Sequence, residues 1–256
     1  MRLNSYGNLS TQFYDLDKPH PPQEAFQFYL QHAISSGSPI LEPMCGSGRF
    51  LVPLMTHGFS VTGVDASPAM LAACRRRAAD AGLTPDLYEQ FLQALDLPVK
   101  FQMVMIPAGS FCLITDLEVA AASLERIYDH LLPGGRLVLE IERYIEADKM
   151  KQEDDTNPEP TVTRPDGRQI RIHSSGSLNP SKTLYQGINR YDLIRNGQIL
   201  ETKWEQFNLR YYRPGFFETL LRSTGFTNIV YHSAYDPSLP LERSESLVFM
   251  AVRPSS

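Results

Sequence analysis

One stretch, residues 39–65, constrains the fold of this chain most strongly. It combines an apolar run at Ile40, a turn with Gly46 and Gly48, apolar residues at helical spacing, and a second apolar run that ends at Asp65. This order predicts two buried parallel strands joined by a helix. In an open α/β sheet, ligands bind at the carboxyl ends of the strands, where the turn and Asp65 lie. A carboxylate there can accept both hydroxyls of a ribose, so the stretch predicts half of a nucleoside-binding site.

The glycine turn discriminates among ligands that contain a nucleoside. A dinucleotide-binding turn follows G-x-G-x-x-G, whose third glycine lets the helix pack closely on the strand, but here Leu51 takes that position. The phosphate-binding pattern G-x-x-x-x-G-K-[ST] does not occur in the sequence. The turn therefore favours a nucleoside without phosphates, and a nicotinamide-dependent oxidoreductase remains as a disfavoured alternative.

Two motifs around this turn resemble the first two signature motifs of class I S-adenosylmethionine-dependent methyltransferases. They are EPMCGSG at residues 42–48 and GVDASPAM at residues 63–70. The chain keeps the acidic Glu42 and the alternate glycines Gly46 and Gly48, and it has Met44 where the family usually has its first glycine. The resemblance implies an enzyme that uses S-adenosyl-L-methionine, releases S-adenosyl-L-homocysteine, and methylates an O or N atom of a small-molecule acceptor.

The expected fold class is α/β. It is a Rossmann-like, mostly parallel seven-stranded sheet with its last strand antiparallel and helices on both faces. Residues 38–145 and 214–256 are expected to form this core, because Pro133-Gly134-Gly135 and the final helix–strand–strand pattern also match the family. Residues 1–37 are predicted to form an N-terminal lid segment and a helix.

From about residue 146 the sequence changes character. Residues 149–160 are charged and contain prolines, which predicts an exposed loop. The dipeptide Asn196-Gly197 between two β-rich runs predicts a two-residue hairpin turn, in which Tyr191 would oppose Thr202 and Asn189 would oppose Trp204. Residues 146–213 are therefore expected to form an antiparallel β insertion, and the resemblance implies that it caps the acceptor.

The resemblance also implies which residues hold the cofactor. Tyr14 is a candidate for the methionine portion. Phe91 stands where many family members place an acidic residue on the adenine amino group, so apolar contacts with Met70 opposite are expected instead. The expected cofactor-binding residues are Tyr14, Glu42, Met44, Cys45, Gly46, Ser47, Gly48, Arg49, Asp65, Ala66, Met70, Phe91, Leu92, Pro107 and Ala108.

Methyl transfer from a sulfonium depends mainly on the alignment of nucleophile, methyl group and sulfur. A general base is needed only where the acceptor starts protonated, so no residue of this sequence has to be catalytic. The candidate bases are His173, Tyr191, Tyr211 and Tyr212, and Glu140 and Glu142 share one face of the fifth predicted strand and could orient an acceptor. A non-catalytic protein that binds the nucleoside is a further alternative.

Composition narrows the set of partners. The net charge of -5 argues against a nucleic-acid partner, which would need a basic face. The three cysteines, Cys45, Cys74 and Cys112, have no metal-ligand spacing and indicate a reducing compartment. No apolar run approaches ~18 residues, the length that spans a bilayer. We therefore expect a cytoplasmic protein without a bound metal or a membrane partner, present as a monomer or homodimer.

Overall fold

The computed structural model describes residues 5–143, 159–241 and 244–255. The helices are α1 (Asn8–Asp17), α2 (Gln23–Ser36), α3 (Leu51–Thr56), α4 (Pro68–Asp80), α5 (Leu117–His130) and α6 (Pro214–Thr224). The strands are β1 (Ile40–Pro43), β2 (Val61–Asp65), β3 (Asp86–Glu89), β4 (Phe101–Ile106), β5 (Leu131–Glu142), β6 (Thr161–Thr163), β7 (Gln169–Leu178), β8 (Leu184–Arg195), β9 (Gln198–Arg210), β10 (Thr227–Ser233) and β11 (Ser246–Val252).

Seven strands form the main sheet in the order β10-β11-β5-β4-β1-β2-β3. The strands β1 to β5 run parallel, whereas β11 is antiparallel to both of its neighbours. The predicted fold class is confirmed. Because the strand order reverses between β1 and β4, a crevice opens at their carboxyl ends, as in other doubly wound sheets.

Apolar strands and capped helices explain the core. The strand β4 is buried along most of its length, and side chains on the two faces of the sheet belong to two separate hydrophobic clusters. Ser67 caps α4 by accepting a hydrogen bond from the Met70 amide at 3.1 Å, and Pro68 occupies its first turn. Asp116 caps α5 by accepting from the amides of Glu118 and Val119. The two helices thus begin next to the predicted nucleoside site.

The insertion between β5 and α6 forms a separate antiparallel sheet in the order β6-β7-β8-β9. Its central turn has two residues, Asn196 and Gly197, both with positive φ as this hairpin type requires. The predicted exposed loop at residues 149–160 lies outside the described residues except for its last two positions.

The predicted pairing of β8 with β9 was wrong by one residue. Tyr191 opposes Lys203 instead of Thr202, and Asn189 opposes Glu205 instead of Trp204. The cause is a β-bulge, since Ile194 pairs with Ile199 and Leu193 pairs with Glu201. The extra residue shifts every pair beyond it, and this places Glu205 on the face that meets the N-terminal helix.

The helix α1 was not predicted, and it joins the small sheet to the core. Leu9 and Phe13 of α1 pack with Ile170, Tyr191 and Leu193 of the small sheet in a third hydrophobic cluster. The helix also contacts α4 on the side of the main sheet. Among the described residues, the helices are too short or too polar to cross a membrane.

Candidate functional site

A cavity of about 440 Å³ lies at the carboxyl ends of the central strands. Its wall includes residues that directly follow β1, β2, β3 and β4, together with residues of the N-terminal segment and of β9. The strand order brings these separate chain segments to one edge of the sheet. The volume is in the range of small-molecule sites, so the cavity is the candidate functional site.

Most of the predicted cofactor-binding residues line this cavity. They are Tyr14, Glu42, Met44, Cys45, Gly46, Arg49, Asp65, Ala66, Met70, Phe91, Leu92, Pro107 and Ala108. Two predicted residues, Ser47 and Gly48, do not line it. A Cβ on Gly48 would lie 2.5 Å from Cys74 Sγ, and the carbonyl of Ser47 accepts a hydrogen bond from Arg77. Both residues therefore hold the turn against α4.

Asp65 ties the glycine turn to the end of β2. Its Oδ2 accepts a hydrogen bond from the Gly46 amide at 2.8 Å, and its Oδ1 accepts one from the Ser67 amide at 2.8 Å. Burial raises the pKa of Asp65, while the hydrogen bonds from these amides oppose the rise. Each carboxylate oxygen has two acceptor sites, so Asp65 can still accept two further hydrogen bonds.

Glu42 and Arg49 bring opposite charges into the same cavity. Glu42 is 2% exposed and Arg49 is 9% exposed. Among the described residues, neither Glu42 Oε2 nor Arg49 Nε has a hydrogen-bond partner. Burial raises the pKa of Glu42 well above its usual value. Since unpaired buried polar groups are costly, a zwitterionic ligand that pairs with both would fit this part of the cavity.

Met44 occupies the position where the family usually has a glycine. Its φ is +59°, in the left-handed region that glycine adopts without steric cost, and its side chain lines the cavity. The turn thus keeps the backbone conformation of a glycine while it adds an apolar side chain to the wall. Met70, Phe91 and Leu92 supply further apolar surface to the wall, so the cavity can receive a flat aromatic group.

Comparison with known proteins agrees with the resemblance drawn from the two motifs. Residues 40–135 match the family model described as a methyltransferase domain. This part of the chain is therefore similar to a methyltransferase domain. A provisionally named methyltransferase of Geobacillus sp. (strain WCH70) is 27% identical over 244 residues, which are 93% of this chain and 96% of that protein.

Two solved structures resemble nearly the whole of this chain. An S-adenosylmethionine-dependent methyltransferase from Clostridium acetobutylicum ATCC 824 has a TM-score of 0.76 and 17% identity, and the match covers 96% of this chain and 97% of that one. The sugar N-methyltransferase KedS8 from Streptoalloteichus sp ATCC 53650 has a TM-score of 0.73 and 18% identity, with 99% and 96% covered. At these identities the structures establish the fold, which is that of the class I methyltransferases, and the resemblance drawn from the motifs is confirmed.

None of the four candidate bases lines the cavity. His173 is exposed on β7, and its Nδ1 lies 2.6 Å from Glu159 Oε1. Tyr191 packs against Phe13, and burial raises its pKa to about 12. Tyr212 is buried against Phe217, and the Tyr211 amide donates to the Thr183 carbonyl, directly before β8. Their positions do not support a role as general base.

Glu140 and Glu142 also lie outside the wall of the cavity. The Oε2 atom of Glu140 accepts a hydrogen bond from the Ala108 amide at 2.7 Å and another from the Tyr235 hydroxyl. Ala108 has a φ of +58° and lines the cavity. Glu140 therefore holds the turn after β4 in a left-handed conformation, so its contact with the cavity is indirect.

Several cavity residues were missed by the sequence analysis. They are Ser5, Tyr6, Phe50, Val64, Gln90, Gln93, Ser110, Leu113, Ile114, Thr115, Asp116, Val119, Gln206 and Asn208. Gln206 and Asn208 alternate along β9, and such spacing of amide side chains on a strand was the available signal. No local pattern singles out Tyr6, because its place in the wall depends on contacts with residues far along the chain.

Proposed function

We propose that this protein transfers a methyl group from S-adenosyl-L-methionine to an O or N atom of a small-molecule acceptor by in-line displacement. The proposal rests on one observation. Asp65, Glu42 and Arg49 line the same cavity, and each offers a polar group to a ligand. These three groups match the diol, the ammonium and the carboxylate of that cofactor. A dinucleotide offers no ammonium for Glu42, so the same set disfavours a nicotinamide-dependent oxidoreductase.

The residues present fit the cofactor from one end to the other. Asp65 would accept the two ribose hydroxyls with its remaining acceptor sites. Glu42 would accept from the amino group, and Arg49 would donate to the carboxylate, which satisfies polar atoms that are otherwise unpaired. The apolar Met70 and Phe91 would hold the adenine. When bound, the cofactor supplies an electrophilic methyl group on a sulfonium.

The other residues of the cavity wall indicate which kind of acceptor would bind. Gln206, Asn208, Ser110 and Thr115 offer neutral hydrogen-bonding groups, and Asp116 adds a carboxylate. Among the described residues of the wall, Arg49 is the one cation, and the cofactor carboxylate would occupy it. A wall of this kind favours a neutral or amine acceptor over a carboxylic acid or a phosphate, because burying an unpaired anion is costly. The similar structure KedS8 is described as a sugar N-methyltransferase, and this supports a small polar acceptor.

The chain's own contribution to the reaction is positioning. None of the four side chains proposed as bases lines the cavity, so the acceptor would arrive as the free amine or would lose its proton to water or to a group of the wall such as the Asp116 carboxylate. Alignment of two reactants within one site can remove several kcal/mol from the barrier without a base. Glu140 holds the turn after β4, whose residues Pro107 and Ala108 line the cavity and would help to position the two reactants.

Isothermal titration of the purified chain with S-adenosyl-L-homocysteine and with NADH tests the cofactor. We expect micromolar binding of the first and none of the second, and absence of binding to S-adenosyl-L-homocysteine would refute the proposal. Consumption of methyl-labelled cofactor with amines, alcohols and carboxylic acids then tests the reaction. Binding without transfer to any member of the panel would favour the non-catalytic alternative.

A further inference from the structure

A single carboxylate of the small sheet holds the N-terminal segment. We name residues 5–17 the strap. Glu205 on β9 accepts three hydrogen bonds from the strap: its Oε2 accepts from the Tyr6 amide at 2.7 Å, and its Oε1 accepts from the Gly7 amide at 2.9 Å and the Ser10 hydroxyl at 2.8 Å. These donors lie at the amino end of α1, where a negative charge also interacts favourably with the helix dipole. Both carboxylate oxygens are therefore engaged by amide donors.

The strap is fixed to the methyltransferase core on its other side. The Tyr6 carbonyl accepts a hydrogen bond from the Ser67 hydroxyl at 2.7 Å, and the Ser67 amide donates to Asp65. Tyr6 has a φ of +54°, which is rare for a bulky side chain and persists only where the surroundings impose it. Glu205 and Ser67 impose it here, because one binds the Tyr6 amide and the other binds its carbonyl.

The strap forms one wall of the cavity. Ser5, Tyr6 and Tyr14 all line it, and the ring of Tyr14 lies 5.4 Å from the Arg49 guanidinium. If the strap moved away, the cavity would lose these residues and the Arg49 side chain would be open to water. The bonds to Glu205 hold the strap together with the Ser67 bond, the Arg77–Asp15 ion pair and the packing of α1 on the small sheet, so they help to set what fraction of the molecules has a complete cofactor cavity.

We propose that Glu205 is a positioning residue that docks the strap over the cofactor cavity and thereby couples the small sheet to cofactor affinity. This inference rests on the proposed function. The observed affinity of a ligand falls in proportion to the population of the binding-competent state. Glu205 does not line the cavity itself, so its whole effect on the cofactor would pass through the strap.

The substitution Glu205→Gln tests the docking of the strap most directly. The amide keeps the size of the side chain but replaces one acceptor oxygen by an NH₂ donor, which would face a backbone amide in either orientation. Glu201→Gln is the matched control, because Glu201 lies on the same strand, is 46% exposed and pairs with Lys203 at the surface. Both variants lose one negative charge, and the first alone touches the strap.

Two measurements on the full chain test the proposal. Hydrogen exchange of the Tyr6 and Gly7 amides should be at least tenfold faster in Glu205→Gln than in the wild type or in Glu201→Gln. Titration with S-adenosyl-L-homocysteine should give a dissociation constant about tenfold higher in Glu205→Gln, and unchanged in Glu201→Gln. A tenfold fall in the fraction of molecules with a docked strap lowers the observed affinity tenfold. In the wild type, the ligand should in turn slow exchange of the two amides, because coupling is reciprocal.

The outcomes are distinguishable. Exchange of both amides at the wild-type rate in Glu205→Gln, or an unchanged dissociation constant, would overturn the proposal. If Glu205→Gln does not fold by circular dichroism, Ser10→Ala replaces it, and it should weaken binding two- to fivefold because one of the three donors is lost. If the wild type does not bind the ligand, the proposed function fails, whereas the exchange rates still decide whether Glu205 docks the strap.

Discussion

The Asp65→Asn substitution tests the central assignment most directly. Two of the four acceptor sites of the carboxylate are taken by the amides of Gly46 and Ser67, both at 2.8 Å. The remaining two face a cavity in which a ribose diol would lie. A hydrogen bond to a charged group contributes about 1.5–3 kcal/mol, and a neutral one contributes about 1 kcal/mol. Asparagine keeps one acceptor oxygen, so one charged bond is lost and the other becomes neutral, at a total cost of about 2–5 kcal/mol. This corresponds to a dissociation constant for S-adenosyl-L-homocysteine that is roughly 30- to 5,000-fold higher.

The internal hydrogen bonds of Asp65 require a control for structural damage. An NH₂ group at one position would oppose the amide of Gly46 or Ser67, so Asp65→Asn should also lower the free energy of unfolding. Asp86→Asn is the matched control, because this carboxylate is exposed on the neighbouring strand β3, outside the cavity. We expect Asp86→Asn to bind the ligand as the wild type does.

Isothermal titration measures the dissociation constants, and urea unfolding measures the stability of each protein without ligand. Ligand at 100 times the wild-type dissociation constant should stabilise the wild type by about 2.7 kcal/mol and the Asp65→Asn protein by about 1 kcal/mol at most. A folded Asp65→Asn protein that binds within threefold of the wild type would refute the reasoning. The carboxylate would then serve the turn alone, and the ribose interpretation would be wrong.

Three further substitutions have defined outcomes. Burial, and then the charges of Glu140 and Glu245, raise the pKa of Glu142 to about 7. The folded protein is therefore more stable with Glu142 neutral; this stability is fully present below about pH 4.5 and is lost as the pH rises through about 7. The free energy of unfolding of Glu142→Gln, measured in urea relative to the wild type, should be about 2–3 kcal/mol higher at pH 8 than at pH 4.5. Phe217→Ala empties a fully buried site and should cost about 3–5 kcal/mol in the same assay, without change in ligand affinity of the folded protein. Ala108→Gly relieves a left-handed backbone and should raise the free energy of unfolding by about 0.5–1 kcal/mol.

The main sheet could be predicted from the sequence because its determinants are local. The strand Phe101–Ile106 is buried on both faces and is therefore apolar at every position except Gln102. The helices α4 and α5 begin at a serine and an aspartate that cap them, which are readable signals. The two-residue turn of the small sheet could also be predicted from its Asn-Gly dipeptide.

The parts that were missed depend on contacts between distant segments. The bulge that shifts Tyr191 and Glu205 by one place leaves no mark on the alternation of a strand whose two faces are both partly polar. The helix α1 has few apolar residues, and Phe13 is buried by Tyr191, which lies far along the chain. The candidate bases were chosen by residue type, and only the packing decides that they lie outside the cavity.

The cofactor motif illustrates which part of a signature is physically required. A Cβ at Gly48 would meet Cys74 at 2.5 Å, so this glycine is fixed by the packing of the turn on α4. Met44 instead adopts φ +59° with its side chain partly buried in the wall of the cavity, at a cost of about 1–2 kcal/mol relative to glycine. The hydrogen bond from Gly46 to Asp65 holds the turn from the other strand and offsets that cost. A motif of this kind therefore tolerates the loss of a glycine where the side chain points to the ligand, but not where it points to the core.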